Sequence, residues 1–196
     1  MYRLVVAENV SLDGVMQSPG RADEDPRGGF DLGGWAAQRL AEDPDAARAA
    51  MGGQANTSAL LFGRRTYEDL VGHWLATPEP NPFAEILART PKYVTSRSSQ
   101  AELLHPNSTL LTGEASDTVR SLKKLGEGDL VVLGSGVLVR HLAAEGLIDR
   151  YVLTTIPVVL GKGARLFEGK YTSLAVEFST TSPTGIVVAI YRVLHE

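Results

Sequence analysis

The sequence predicts an α/β fold, with a mixed, mostly parallel sheet covered on both faces and an antiparallel hairpin at the C-terminus. Three observations carry this. Short runs rich in Val, Leu and Ile alternate with stretches of helical periodicity, as parallel strands joined by crossover helices do. Three of these runs end in Gly or Ser just where a helical or turn pattern opens. The last two runs flank Ser182-Pro183-Thr184-Gly185, a tight-turn composition that makes a hairpin.

Tyr2 to Val10 reads as a buried first strand centred on Leu4, Val5 and Val6, followed by the turn signal Asp13-Gly14. Gln17 to Gly34 is rich in Gly, Pro and charge and is closed by Trp35; a loop of that length inside a compact domain is disordered or functional, for instance as a lid. Ala36 to Met51 is helical in character, with Pro44 starting a new helix or breaking one, and Gly52-Gly53 ending it. Ala59 to Phe62 is a second strand running into Gly63-Arg64-Arg65-Thr66, where Thr66 and Asp69 resemble a capping box. Thr77 to Pro82 is a proline-rich loop, and Phe83 to Leu87 a short helix. Lys92 to Thr95 and Thr109 to Thr112 are the third and fourth strands. Ser116 or Asp117 caps an amphipathic helix carrying Val119, Leu122 and Leu125, stopped by Gly126. Leu130 to Leu133 is a buried strand broken by Gly134-Ser135-Gly136, after which Leu138, Val139 and Leu142 recur at helical spacing up to Gly146. Ile148 to Leu160 is β-branched and apolar with Pro157 as a kink or edge; Leu174 to Thr181 and Ile186 to Leu194 form the hairpin. No repeat or linker divides the 196 residues, so a single domain over 1–196 is expected.

Composition removes several function classes. A net charge of −4 without a long basic run argues against nucleic acid and anionic membranes. There is no cysteine, which removes disulfides, thiolate nucleophiles and cysteine-ligated metals. The four histidines lie far apart, so no metal site is expected. Neither a hydrolase nucleophile elbow nor a P-loop motif is present. Glu8 interrupts the first apolar run, too early for a signal peptide, and no run approaches the roughly 18 apolar residues of a membrane span; a cytoplasmic location is the expectation.

Three strand ends suit phosphate: Gly63-Arg64-Arg65-Thr66, Ser96-Arg97-Ser98 and Gly134-Ser135-Gly136. Parallel strands bring their C-terminal ends to one side of a sheet, where open α/β folds bind ligands. Arg64 and Arg97 offer charge-assisted bonds to one phosphate, and the glycine turn offers backbone N–H groups to a diphosphate. A phosphomonoester plus a diphosphate describes NADP better than NAD. Gly134-x-Gly136 is not a Rossmann fingerprint, because Val139 stands where the third glycine belongs. Taken singly, each turn reads equally as a ligand-free connection.

Val-Ser-Leu-Asp-Gly-Val-Met (10–16), Leu-Phe-Gly-Arg-Arg-Thr-Tyr-Glu (61–68), Val-Leu-Gly-Ser-Gly-Val-Leu-Val (132–139) and Pro-Val-Val-Leu-Gly-Lys-Gly-Ala-Arg-Leu-Phe (157–167) together resemble the dihydrofolate reductase-like superfamily. Within it, the chain is most similar to the reductase (C-terminal) domain of the bifunctional riboflavin-biosynthesis deaminase–reductase. The resemblance implies a three-layer α/β/α fold binding NADPH, and a homodimer. By resemblance, Gly63, Arg64 and Thr66 meet the phosphates, Ser96 and Arg97 hold the ribose 2′-phosphate, and Gly134, Ser135, Gly136, Val137 and Leu138 hold the diphosphate. Ala7 then passes under the nicotinamide.

The implied chemistry is hydride transfer to an electron-poor carbon with a proton supplied to its neighbour. Asp13 is the first candidate for the acid or a substrate contact, against a plain Asp-Gly turn. Asp31 lies in the zone where dihydrofolate reductases carry a carboxylate, against a solvated loop charge. Thr154 hydrogen-bonds substrate by similarity, against an ordinary strand threonine. Trp35 stacks on a flat heterocycle, against a core or interface tryptophan. Two readings follow: a reductase of a pterin-like or ribosylaminopyrimidine-like small heterocycle, with 5-amino-6-(5-phosphoribosylamino)uracil reductase-type activity by resemblance, and a non-catalytic NADPH-binding or sensing protein.

Overall fold

The computed structural model describes residues 1–77, 82–169 and 171–195, so the proline-rich stretch 78–81 lies outside the described residues. Among the described residues, eight strands pair mostly in parallel and end in an antiparallel hairpin, the fold class that the sequence predicts. The chain divides into two compact units, Met1–Leu4 with Asn56–Leu147, and Val5–Ala55 with Ile148–Glu196. Strand β1 (Arg3–Ser11) starts in the first and continues in the second.

In the first unit β2 (Thr57–Gly63), β3 (Lys92–Ser96), β4 (Ser108–Thr112) and β5 (Asp129–Leu133) are all parallel, in the order β4-β3-β2-β5. The central strands are continuous apolar runs because helices cover both their faces: Leu61, Phe62, Val94 and Leu130 to Val132 are buried. Arg3 anchors the chain's start to this unit through Asp129 at 2.7 Å. The helices of this unit are α3 (Arg64–Thr66), α4 (Gly72–Ala76), α5 (Pro82–Arg89), α6 (Ala115–Lys123) and α7 (Gly136–Ala144). A π-helical stretch, Tyr67–Val71, joins α3 to α4 without leaving helical dihedrals.

In the second unit β1 pairs in parallel with β6 (Arg150–Ile156), and β6 pairs antiparallel with β8 (Val187–Leu194), which carries β7 (Ser173–Thr181). Helices α1 (Ala37–Ala41) and α2 (Pro44–Gly52) belong here. Pro44 opens α2 at a first-turn position, where its missing N–H costs nothing, and Asp43 caps it by accepting from the Ala46 N–H at 3.0 Å. Strand β6 stops one residue before Pro157, which has no N–H to continue a ladder.

Two expected caps differ. Gly63, extended at φ −75° and ψ 150°, occupies the N-cap of α3, so Thr66 sits inside the first turn and caps nothing. The N-cap of α6 is Glu114, whose side chain makes no capping bond. Gly113, at φ 120°, precedes a cap that stands two residues before Ser116 and three before Asp117; Ser116 is buried and Asp117 pairs with Arg120 at 2.7 Å. Among the described residues no helix is long and apolar enough to cross a membrane.

Candidate functional site

The C-terminal ends of β5, β2 and β3 emerge side by side in the first unit. Gly63 is level with Thr95, and Leu61 with Val132, so the three phosphate-ready turns follow from neighbouring strands about 4.8 Å apart. Arg64 donates from Nε to Glu68 at 2.6 Å, both side chains half exposed. That bond orients the guanidinium by one edge and leaves its Nη groups for a second acceptor. Arg65 and Arg97 are exposed and make no ion pair among the described residues. The Ser96 hydroxyl accepts the Ser98 N–H at 3.1 Å and the Ser98 hydroxyl accepts the Gln100 N–H at 3.3 Å, so Arg97 rides on a serine-capped turn.

The glycine turn combines two left-handed residues with a helix start. Gly134 and Ser135 both have φ of 60°, and α7 begins at Gly136. The first amide bonded back along the helix is Val139, to the Ser135 carbonyl at 3.0 Å. The N–H groups of Gly136, Val137 and Leu138 therefore point out of the helix end without a partner along it, where the helix dipole favours an anion. Two hydrogen bonds join this turn to the one after β2. The Gly63 N–H donates to Ser135 Oγ at 3.0 Å, and the Ser135 N–H donates to Thr66 Oγ1 at 3.1 Å.

In the second unit, Ala7 pairs with Val152 and Asn9 with Thr154. Paired residues of adjacent strands share a face, and alternation puts Ala7, Asn9 and Thr154 on the same one. Thr154 is 3% exposed. The expected Ala7 and Thr154 are thus brought together, with Asn9 beside them. The sequence reading missed Asn9, although an amide within the largely apolar β1 was the available signal. It also used Glu8 only to reject a signal peptide; Glu8 is buried on the opposite face, level with Leu153.

The two candidate acids are committed elsewhere. Asp13 accepts from the Ser11 hydroxyl at 2.7 Å and from the amides of Leu160 at 3.1 Å and Gly161 at 2.9 Å. The Ser11 bond first, then the two amides, pull its carboxyl down to about 2. Held in this way, the Asp13 carboxyl is ionised at neutral pH and staples the turn after β1 to the 157–163 loop. Asp31 is exposed and pairs with Lys162 at 2.6 Å, which lowers its pKa by hydrogen bond and charge. Both carboxylates thus tie chain to the Gly161-Lys162-Gly163 turn.

The expected lid is a folded loop. Gln17 donates from Nε2 to the carbonyls of Asp25 and Arg27, both at 2.9 Å, and accepts the Ala164 N–H on Oε1 at 2.8 Å. The Trp35 indole N–H donates to the Gln17 carbonyl at 2.8 Å, and its ring packs on the cluster of Ala36, Ala46, Ile156 and Ile186. Trp35 is half-buried and fastens the loop's end. Among the described residues no group of acidic or His side chains is fit to hold a metal.

The RibD C-terminal domain family matches residues 3–188, and the chain belongs to that family. Its relatives include the uncharacterized protein YyaP of Bacillus subtilis (strain 168), 28% identical over 156 residues, covering 76% of this chain and 80% of that one. Among solved structures it resembles a Shewanella sp. PV-4 protein that its name places provisionally in riboflavin biosynthesis, with a TM-score of 0.67, 20% identity and full coverage of both chains. Dihydrofolate reductase from Enterococcus faecalis, solved with NADP(H), superimposes with a TM-score of 0.57 at 15% identity over 98% of this chain and 97% of that one. These structures share the fold.

Proposed function

We infer that this chain is an NADPH-dependent reductase of a small heterocycle, pterin-like or ribosylaminopyrimidine-like, with 5-amino-6-(5-phosphoribosylamino)uracil reductase as the nearest type of activity. The observation that carries this reading is the row of three anion-ready turns on neighbouring parallel strands. The residues present fit a phosphorylated dinucleotide. Free helix-end amides at Gly136 to Leu138 suit a diphosphate, and Arg64 and Arg97 suit a phosphomonoester. Family membership and the NADP(H)-bound neighbour of the same fold support the same cofactor.

When bound, the reduced dinucleotide supplies a hydride to an electron-poor carbon of the substrate. The chain's own contribution is placement. Ala7, the smallest side chain of the β1 centre, leaves room for a flat ring against the strand, and Asn9 and Thr154 offer an amide and a hydroxyl on the same face. With Asp13 and Asp31 both ionised, the proton that balances the hydride comes from water rather than from either carboxyl. That same observation favours a second reading, an NADPH-binding protein without catalysis. A homodimer is part of the proposal by resemblance.

Fluorescence titration separates the elements. NADPH binds more tightly than NADH, and Arg97→Ala removes most of that preference; equal affinity for the two cofactors sinks the 2′-phosphate assignment. Loss of reduced-nicotinamide absorbance with a panel of pterins and ribosylaminopyrimidines identifies a reductase, whereas tight NADPH binding with no turnover identifies the second reading.

A further inference from the structure

We propose that Thr66 and Ser135 are positioning residues, forming a clasp that locks the turns after β2 and β5 into one rigid diphosphate seat. The backbone from Gly136 to Leu138, rather than Ser135, then meets the diphosphate. This rests on the dinucleotide reading above and adds how the site is built.

The two hydrogen bonds of the clasp run in opposite senses between turns far apart in the chain. The Gly63 N–H donates to Ser135 Oγ, and the Ser135 N–H donates to Thr66 Oγ1. Ser135 also gives its carbonyl to the Val139 N–H. Its amide, hydroxyl oxygen and carbonyl are all engaged inside the protein, which leaves no amide for a ligand. Ser135 adopts φ 60° and ψ 39°, a left-handed conformation that non-glycine residues hold only when the surroundings impose it. The clasp holds it there, with the Ser135 N–H and Oγ engaged at once by Thr66 and Gly63. A Cβ on Gly134, itself at φ +60°, would stand 2.9 Å from Thr66 Cγ2. The threonine methyl thus fills the space beside the glycine while its hydroxyl holds the next residue. A seat preorganised in this way spends less of its binding energy on ordering.

The test is a double-mutant cycle read by NADPH affinity. Thr66→Val and Ser135→Ala each weaken NADPH binding about tenfold, roughly 1.4 kcal/mol, and the double variant is no weaker than either alone, since one clasp is lost once. Thr66→Ser keeps the hydroxyl and recovers most of the affinity that Thr66→Val loses. ADP-ribose, which carries the diphosphate, loses affinity in parallel, while adenosine 2′-monophosphate, read by Ser96 and Arg97, does not. Amide hydrogen exchange supplies a readout without ligand: the Ser135 amide exchanges faster in Thr66→Val, with thermal midpoints confirming that the variants are folded. Additive losses, unchanged affinity or equal loss of adenosine 2′-monophosphate overturn the clasp as the organiser of the seat. A wild-type protein that binds neither NADPH nor ADP-ribose overturns the dinucleotide reading and the seat with it.

Discussion

Asp13 and Asp43 show how single carboxylates serve this fold through ionisation. Asp43 accepts from the hydroxyls of Ser182 and Thr184 and from the Ala46 N–H, and these bonds, in that order, hold its carboxyl at about 2; Asp13 is held equally low by Ser11 and the 160–161 amides. An unfolded aspartate titrates near 3.9. The folded state therefore binds fewer protons across that interval, and the stabilisation is complete above about pH 4 and lost as the pH falls toward about 2. Urea midpoints from about pH 2 to 5 should show that loss, and Asp43→Asn should flatten it; an identical acid limb in the variant contradicts the assignment. Lys92 is the opposite case. Buried on β3, it donates to the carbonyls of Leu87 at 2.5 Å and Thr90 at 2.9 Å, and burial lowers its pKa. Lys92→Met removes both hydrogen bonds to the carbonyls at the end of α5 and should cost about 1–3 kcal/mol in urea unfolding.

At the scale of elements, the turns matter more than the strands they join. Gly134→Ala adds a Cβ to a left-handed residue pressed against Thr66. It should destabilise by about 1–2 kcal/mol and weaken NADPH binding, read by thermal unfolding and titration; a variant with wild-type affinity would remove the close packing of the two turns from the site. Strand positions were legible because parallel strands are unbroken apolar runs, so Leu130 to Val132 declare themselves. Helix starts were less so. Thr66 with Asp69 looks like a capping box in one dimension, but its hydroxyl is spent on an amide 69 residues away, and no local pattern encodes that partner.

For the molecule as a whole, ligand linkage checks the cofactor reading without a substrate. A ligand at a hundred times its Kd stabilises the native state by about 2.7 kcal/mol, so NADPH should raise the thermal midpoint by several degrees and NADH at equal concentration by less. Equal shifts would argue against a 2′-phosphate site. Sedimentation at micromolar concentration should read a dimer, and a monomer would remove that part of the proposal. All the residues assigned to phosphates belong to the unit formed by 1–4 and 56–147, while Ala7, Asp13, Asp31, Trp35 and Thr154 belong to the other. The proposed phosphate contacts therefore fall in one unit, and the proposed nicotinamide and substrate contacts in the other.

By itself the sequence determined the α/β class, the strand and turn positions, the family, and the three phosphate-ready turns. Apolar periodicity and glycine placement are properties of neighbouring residues, and they survive in one dimension. Only the tertiary structure decided what individual polar side chains do. Asp13 staples the 157–163 loop, Trp35 fastens the end of the 17–34 loop, Gln17 is that loop's hub, and Thr66 is the partner of Ser135. Each of those roles is set by a hydrogen-bond partner that is distant in the chain or on another turn, and a polar group's partner is known only once folding has brought the two together.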